Sequence, residues 1–402
     1  MQAVGLIVEY NPFHNGHLHH VTEAKRSTNA EIAVAVMSGQ FLQRGEPALV
    51  DKWTRTKMAL ANGVDIVIEL PYAFSTAPAP IFAKGAVQLL DAMQCSTLAF
   101  GSEEGSIAPF LNSFNLIEQH REQYNAAIKA AVTTGKSYPQ ALHIAYEQLK
   151  TEHPNDYIDL AQPNNILGFH YVEALANSNS QMQPVTIQRI LAGYHDDIDI
   201  TSNIASATGI RKALFEGQSL GETSQFIPQE TARELAIWQQ KYGHFAQWET
   251  FWPLVKYAIL RHTPAQLTLY ADVTEGLENA LIKHARTSNT YTEFMTALKS
   301  KRYTWTRLQR MLTHIYTGVT REQLHAIETP SYLRILGMTT AGQAYISAIK
   351  KNLRLPLISR VGAHDDPCLA LDLRATEMYG LGMSLCSNKK IDEDYQSPPI
   401  RV

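Results

Sequence analysis

Ala3-Val4-Gly5-Leu6-Ile7-Val8-Glu9-Tyr10-Asn11-Pro12-Phe13-His14-Asn15-Gly16-His17 is the stretch on which the fold turns. Its first six residues form a short apolar run, the pattern of a strand buried on both faces of a parallel sheet. Asn11-Pro12 marks a turn, and a helical pattern follows from about Gly16 to Ser27. The same alternation continues outward. Strands are expected at 31–37, 65–70 and 97–100, and helices at 54–62 and 80–93, with Gly63 placed to end the first of these helices. Strand and helix in alternation imply βαβ units, a parallel sheet and right-handed crossovers.

Residues 108–180 read as mainly helical, and 184–190 returns to strand character. Residues 205–214 read as a loop entering a helix. An α/β, Rossmann-like domain is therefore expected over 1–215. Residues 216–402 are expected to form a mainly α-helical domain, with a late strand between Val361 and Leu373.

Composition sets outer bounds. The chain has 402 residues, enough for two domains, and is 45% hydrophobic and 18% charged, as in folded globular proteins. A net charge of −3 means that any nucleic-acid surface is a local patch. The three cysteines, Cys95, Cys368 and Cys386, form no close pair, which argues against a structural zinc site or a disulfide framework. No basic leader precedes the first strand, and no window of about 20 residues is apolar enough to span a bilayer. The expected location is the cytoplasm.

His14-Asn15-Gly16-His17 carries the chemistry. In an open α/β sheet, ligands bind at the carboxyl ends of the strands. A helix N-terminus there presents unpaired N–H groups and a positive dipole end to phosphate. Gly16 has no Cβ to keep a nucleotide off the backbone. His14 and His17 can donate hydrogen bonds where charge grows as pyrophosphate leaves. The plain alternative is a capping turn with solvated histidines. His19 and His20 are adjacent on a helix and point about 100° apart, a poor chelating pair. A solvated or rim position is expected for them.

A His-x-Gly-His motif after the first strand resembles the signature of the nucleotidyltransferase superfamily. Ser206-Ala207-Thr208-Gly209-Ile210-Arg211 resembles that superfamily's Ser-x-Thr-x-Ile-Arg segment, which closes the phosphate site. Hydroxyls, helix-start N–H groups and a guanidinium suit a leaving pyrophosphate. The alternative is an ordinary helix start with Thr208 as cap. Three more segments narrow the resemblance: Ser38 to Pro47, Gln162-Pro163-Asn164-Asn165-Ile166-Leu167-Gly168, and Lys301 to Arg310. Together with Val8 to His17 they are similar to the bacterial tRNA(Met) cytidine acetate ligases.

That resemblance implies a reaction in two steps. ATP and acetate give acetyl-adenylate and pyrophosphate, and the acetyl group then moves to N4 of the wobble cytidine of elongator tRNA(Met). It implies ATP contacts at Ile7, Val8, Glu9, Tyr10, Asn11, Pro12, Phe13, His14, Asn15, Gly16, His17, Leu18, His19 and His20, and at Gly101, Asn164 and Arg189. Ser206, Thr208 and Arg211 join them. Read alone, Gly101 is equally a turn glycine, and Asn164 or Asn165 a helix cap. Arg189 is a charge on an expected strand, which points to a ligand or partner.

Lys299, Lys301, Arg302, Arg307 and Arg310 alternate with Tyr303 and Trp305. Such a run can hold RNA phosphates and stack on unpaired bases, or be the solvated face of a helix. Arg44, Lys52, Arg55 and Lys57 are expected to form a second basic edge. Magnesium is expected with ATP. No acidic cage is evident, and Glu9, Glu103 and Glu104 are the nearest candidates. Two other functions stay open: an adenylyltransferase for a small phosphorylated metabolite, and a non-catalytic RNA-binding protein on a nucleotide fold.

Overall fold

The computed structural model describes residues 1–136, 138–189, 205–274, 276–387 and 394–402. Five parallel strands form its centre: β1 (Ala3–Val8), β2 (Ile32–Ser38), β3 (Ile66–Leu70), β4 (Thr97–Ser102) and β5 (Gln183–Gln188). The sheet order is β5-β4-β1-β2-β3. The chain runs outward from β1 to β3, then returns to the other side of β1 for β4. The order therefore reverses between β1 and β4, and a crevice opens there at the carboxyl ends of the strands. Every residue of β2 and β3 is buried, which explains their unbroken apolar runs.

The helices that matter for the site are α1 (Asn15–Thr28), α2 (Lys52–Ala61), α3 (Ala79–Ala92), α4 (Pro163–Asn177), α5 (Ala207–Phe215), α6 (Trp248–Leu260), α7 (Trp305–Thr317) and α8 (Pro367–Ser384). Right-handed crossovers put α1 and α2 on one face of the sheet and α3 and α4 on the other.

The second half of the chain is not only helical. Leu333–Met338 (β6) joins the sheet beside β3 and runs antiparallel to it. Leu357–Ile358 (β7) and Ile400–Arg401 (β8) both pair with β6 in parallel. The sheet thus draws strands from both sides of residue 215. The strand expected between Val361 and Leu373 is absent among those residues. Val361–Ala363 is a 3-10 turn, and α8 begins at Pro367, capped by Asp366, whose carboxylate accepts the N–H of Cys368 and of Leu369. Proline at the first helical position lacks only an N–H that would be unpaired there anyway. Ile190, the last residue of the expected 184–190 strand, lies outside the described residues.

A buried ion network ties the added strands to the core. Lys52 of α2 pairs with Glu69 of β3 at 2.7 Å and with Asp394 at 2.9 Å. Arg334 of β6 pairs with the same two carboxylates at 3.1 and 3.0 Å. Two cations and two carboxylates are thus matched out of water, the condition under which buried charge is tolerated.

Candidate active site

A cavity of about 450 Å³ opens at the switch point. Of the residues expected to meet ATP, Ile7, Val8, Glu9, Tyr10, Asn11, His14, Gly16, His17, His19, His20, Gly101, Asn164, Arg189, Ser206, Thr208 and Arg211 line it. Four do not. Phe13 is fully buried and packs on Tyr10 and His17. Pro12 follows a cis peptide bond in the turn. Asn15 donates from Nδ2 to the Gln225 carbonyl at 2.9 Å, and Leu18 is exposed on the outer side of α1.

His14 is the N-cap of α1. Its Nδ1 accepts the Gly16 N–H at 3.0 Å, so the ring proton sits on Nε2. His17 reaches back one turn, its Nδ1 accepting the His14 N–H at 3.3 Å. The two rings stack with centroids 3.7 Å apart. Burial, reinforced by Arg189 and Arg211, pushes His14 down to about 3. Burial and the neighbouring His14 and Arg189 hold His17 well below the usual histidine range. Both rings are therefore neutral at pH 7, and His14 offers a neutral Nε2–H donor. His20 is likewise pushed down by burial, to about 4.

The opposite wall is α5. Ser206, not Thr208, caps it, accepting the Gly209 N–H at 3.0 Å. Thr208 is left facing the cavity. Arg211 donates from Nη1 to the Asn11 carbonyl at 2.9 Å and from Nη2 to Glu46 at 3.1 Å. Two helix N-termini thus face one cavity, with cationic side chains between them, a setting for phosphate.

Beyond β4, Glu103 and Asn165 clasp each other's backbones. The Glu103 carboxylate accepts the N–H of Asn164 and of Asn165, at 3.4 and 2.9 Å, and the Asn164 side-chain amide at 2.6 Å. Asn165 Oδ1 accepts the N–H of Glu103 and of Glu104. The cap of α4 is therefore supplied by Glu103 from another segment, and Asn164 reaches the cavity, where Arg189 donates to its Oδ1 at 3.4 Å. A Cβ on Gly101 would meet Arg189 Cγ at 3.4 Å, so Gly101 and Arg189 stand side by side on the cavity wall.

One expectation about basic residues fails. Lys52 and Arg55 are buried and form no edge. Lys52 serves the ion network. Arg55 Nη1 donates to the carbonyls of Glu9 (2.7 Å) and Ser38 (3.0 Å), its Nε to Val50 (3.2 Å), and its Nη2 to Gly39. It is a strut under the 38–50 segment. Lys57 is exposed beside Glu234, while Arg44 does line the cavity. In the 299–310 run, Arg307 donates to Asp272 at 3.1 Å and Thr274 at 3.3 Å, and lies over the buried Tyr303 ring. Arg310 is mostly enclosed. Lys299, Lys301, Arg302 and Trp305 are the exposed members.

Sequence reasoning missed Gln43, Glu46, Phe82 and Tyr171 as cavity residues. Gly45-Glu46-Pro47, a turn close to β2, was the available signal for Glu46; nothing local marks Phe82 or Tyr171.

The reversal of strand order, the paired histidines at α1 and the facing start of α5 define a nucleotidyl transferase. A family model described as HIGH Nucleotidyl Transferase matches residues 1–394. The tRNA(Met) cytidine acetate ligase of Lysinibacillus sphaericus (strain C3-41) is 58% identical over 402 residues, covering 100% of both chains. The chain belongs to the tRNA(Met) cytidine acetate ligase family. Among solved structures, Thermotoga maritima TmcAL in its apo form I superposes with a TM-score of 0.93 at 29% identity, over 100% of each chain. The same protein bound with alpha-thio ATP, form II, gives 0.90 at 28%, again over 100% of each.

Proposed function

We propose that this chain activates acetate with ATP and transfers the acetyl group to N4 of the wobble cytidine of elongator tRNA(Met). The observation that carries the first step is the neutral His14–His17 stack on the N-terminus of α1, facing the start of α5 across one cavity. An acetate oxygen attacks the α-phosphorus, and pyrophosphate departs. His14 Nε2–H, the α1 N–H groups and Arg211 are placed to meet the charge that grows on the leaving phosphates. Gly101, Asn164 and Arg189 form the nucleoside end. Glu103 is committed to the α4 N-terminus and is a poor magnesium ligand, and among the described residues no group of three or more His, Cys, Asp or Glu side chains could cage a metal. We assign magnesium to the nucleotide's own phosphates.

The second step is supported by the activity for which the relatives are named and by the exposed Lys299, Lys301 and Arg302 on the approach to α7. No helix among the described residues is long and apolar enough to cross a membrane, and we place the enzyme in the cytoplasm with its tRNA. The division of labour we propose is ATP chemistry in 1–215, with a tRNA-binding contribution from 216–402.

The test is pyrophosphate release from ATP with acetate, with and without tRNA(Met), followed by nucleoside analysis for N4-acetylcytidine. Acetate-dependent release and acetylated cytidine are expected. Release onto a phosphorylated metabolite without acetate would instead identify a small-molecule adenylyltransferase. No release with any acceptor would leave only RNA binding.

A further inference from the structure

Glu9 directly follows β1 at the switch point and lines the cavity. Its Oε1 accepts the Gln43 N–H at 2.7 Å. Its Oε2 has no hydrogen-bond partner among the described residues. Leu42 and Phe82 add apolar surface to the same cavity, and the Tyr171 ring stands close to Glu9 on α4. A carboxylate in a cavity for a triphosphate opposes binding by like charge. Its presence calls for work that only a carboxylate does, either holding a metal or taking a proton.

The neighbours decide between these. Magnesium on a nucleotide takes most of its ligands from phosphate and water and one or two from protein carboxylates, so a protein-held ion here would need Glu9 to act alone or with a neighbour. The other carboxylate lining the cavity, Glu46, is taken by Arg211 at 3.1 Å, and Glu103 is held by the start of α4. Glu9 is left as a single carboxylate, anchored on one oxygen and open on the other, which is the geometry of a base.

The chemistry of the second step lacks a base. The exocyclic amine of cytidine is amide-like, and it cannot acylate without losing a proton. Resting on the reading of the reaction above, we propose that Glu9 is the general base of acetyl transfer. The N4 lone pair attacks the acetyl-adenylate carbonyl carbon and the C–N bond forms. The C–O bond to the phosphate breaks, and AMP leaves with that electron pair. The N4 proton passes to Glu9 Oε2 and from there to solvent.

Burial pushes the Glu9 carboxyl above its ordinary range, and Glu46 adds to this; the Gln43 N–H, Arg44 and Arg211 pull the other way. Arg55 and Tyr171 also face it. A base must be deprotonated, so transfer should rise with pH through an acidic limb above the usual glutamate range.

The test is Glu9→Gln in the full chain, whose amide oxygen still accepts the Gln43 N–H. Acetate-dependent ATP–pyrophosphate exchange reports the first step. Single-turnover transfer from preformed acetyl-adenylate to tRNA(Met) reports the second. The expected result is a transfer rate lower by about 10²–10⁴-fold, an exchange rate lower by less than about tenfold, and loss of the acidic limb. Equal losses in both steps would overturn the proposal and favour a nucleotide or metal role. So would wild-type transfer, or an acidic limb that survives in the variant. Wild-type protein without acetate-dependent exchange would sink the underlying reaction instead, and so is told apart from failure of the base.

Discussion

Replacing His14 separates its two duties. Nδ1 caps α1 through Gly16, and Nε2–H faces the cavity. His14→Ala removes both. Loss of an N-cap costs about 1 kcal/mol, against a total stability of about 5–15 kcal/mol. Loss of a donor to developing charge costs about 3–4 kcal/mol, or about 10²–10³ in rate. His14→Asn removes only the second. Asn Oδ1 stands where Nδ1 stands and can take the Gly16 N–H, but its amide nitrogen stops one bond short of Nε2. The expected outcome is therefore asymmetric. His14→Ala melts a few degrees early, whereas His14→Asn melts with the wild type. Both lose acetate-dependent ATP–pyrophosphate exchange by about 10²–10³. Because the folded ring is pushed down to about 3, wild-type exchange should show no inflection near 6.5 from this residue. A His14→Asn protein that exchanges within threefold of wild type would refute the donor role. So would losses of activity that simply follow melting.

Four further outcomes follow from the same structure. His14 and His314 are both buried and pushed down to about 3, so the unfolded chain takes up protons first as pH falls. Their contribution is complete above about 6.5 and is lost toward 3; between pH 6.5 and 5.5 it should cost about 1 kcal/mol per histidine in urea melts, and a flat profile would mean solvated rings. Lys301→Ala with Arg302→Ala should weaken tRNA binding and lower its salt slope by about one per contact, while an unchanged slope would move the RNA surface elsewhere. Arg307→Ala acts differently, because it breaks the tie to Asp272 and Thr274 and should show in melting. Asp394→Ala strands Lys52 and Arg334 with one carboxylate and should cost about 3–5 kcal/mol in denaturant melts; a loss under about 1 kcal/mol would show that water reaches them.

The first four strands were legible because strands covered on both faces leave continuous apolar runs; β5, a half-exposed edge strand, was legible from the β-branched Val185, Thr186 and Ile187. Strand β6 was not. Leu333-Arg334-Ile335-Leu336-Gly337-Met338 holds an arginine and a glycine, both poor strand signals. The structure explains each. Arg334 is neutralised by Glu69 and Asp394, and a Cβ at Gly337 would sit 2.8 Å from Leu60 and from Thr56 of α2. Neither partner set is near in sequence. Lys52 and Arg55 were misread for the same reason: a charge looks solvated until its distant partners are known. The histidine motif was legible because its cap, tautomer and ring stack are all made within four residues. Tyr171 and Phe82 come from two other helices and carry no local mark.

The segment from Ser38 to Pro47 explains why the second half of the chain bears on the site. It folds back on itself, with the Leu42 N–H donating to the Glu46 carbonyl and the Gly45 N–H to that of Leu42, both at 2.9 Å. One side of it touches the cavity: the Gln43 N–H holds Glu9, and Glu46 holds Arg211. The other side is gripped by the helical half. Gly45 has φ +75, and a Cβ there would lie 2.3 Å from the Arg310 backbone nitrogen. Its carbonyl accepts Trp248 Nε1–H and Thr313 Oγ–H, each at 3.0 Å, and the next carbonyl but two, that of Ala48, accepts the Tyr379 hydroxyl at 2.8 Å. Helices α6, α7 and α8 thus fix the loop that fixes Glu9 and Arg211. Since α7 begins beside Lys301 and Arg302, the proposed RNA surface and the proposed base lie at the two ends of one rigid connection. A tRNA that shifts α7 would move Gly45 before it moved the cavity residues Gln43, Arg44 and Glu46 beside it, because no side chain cushions that contact.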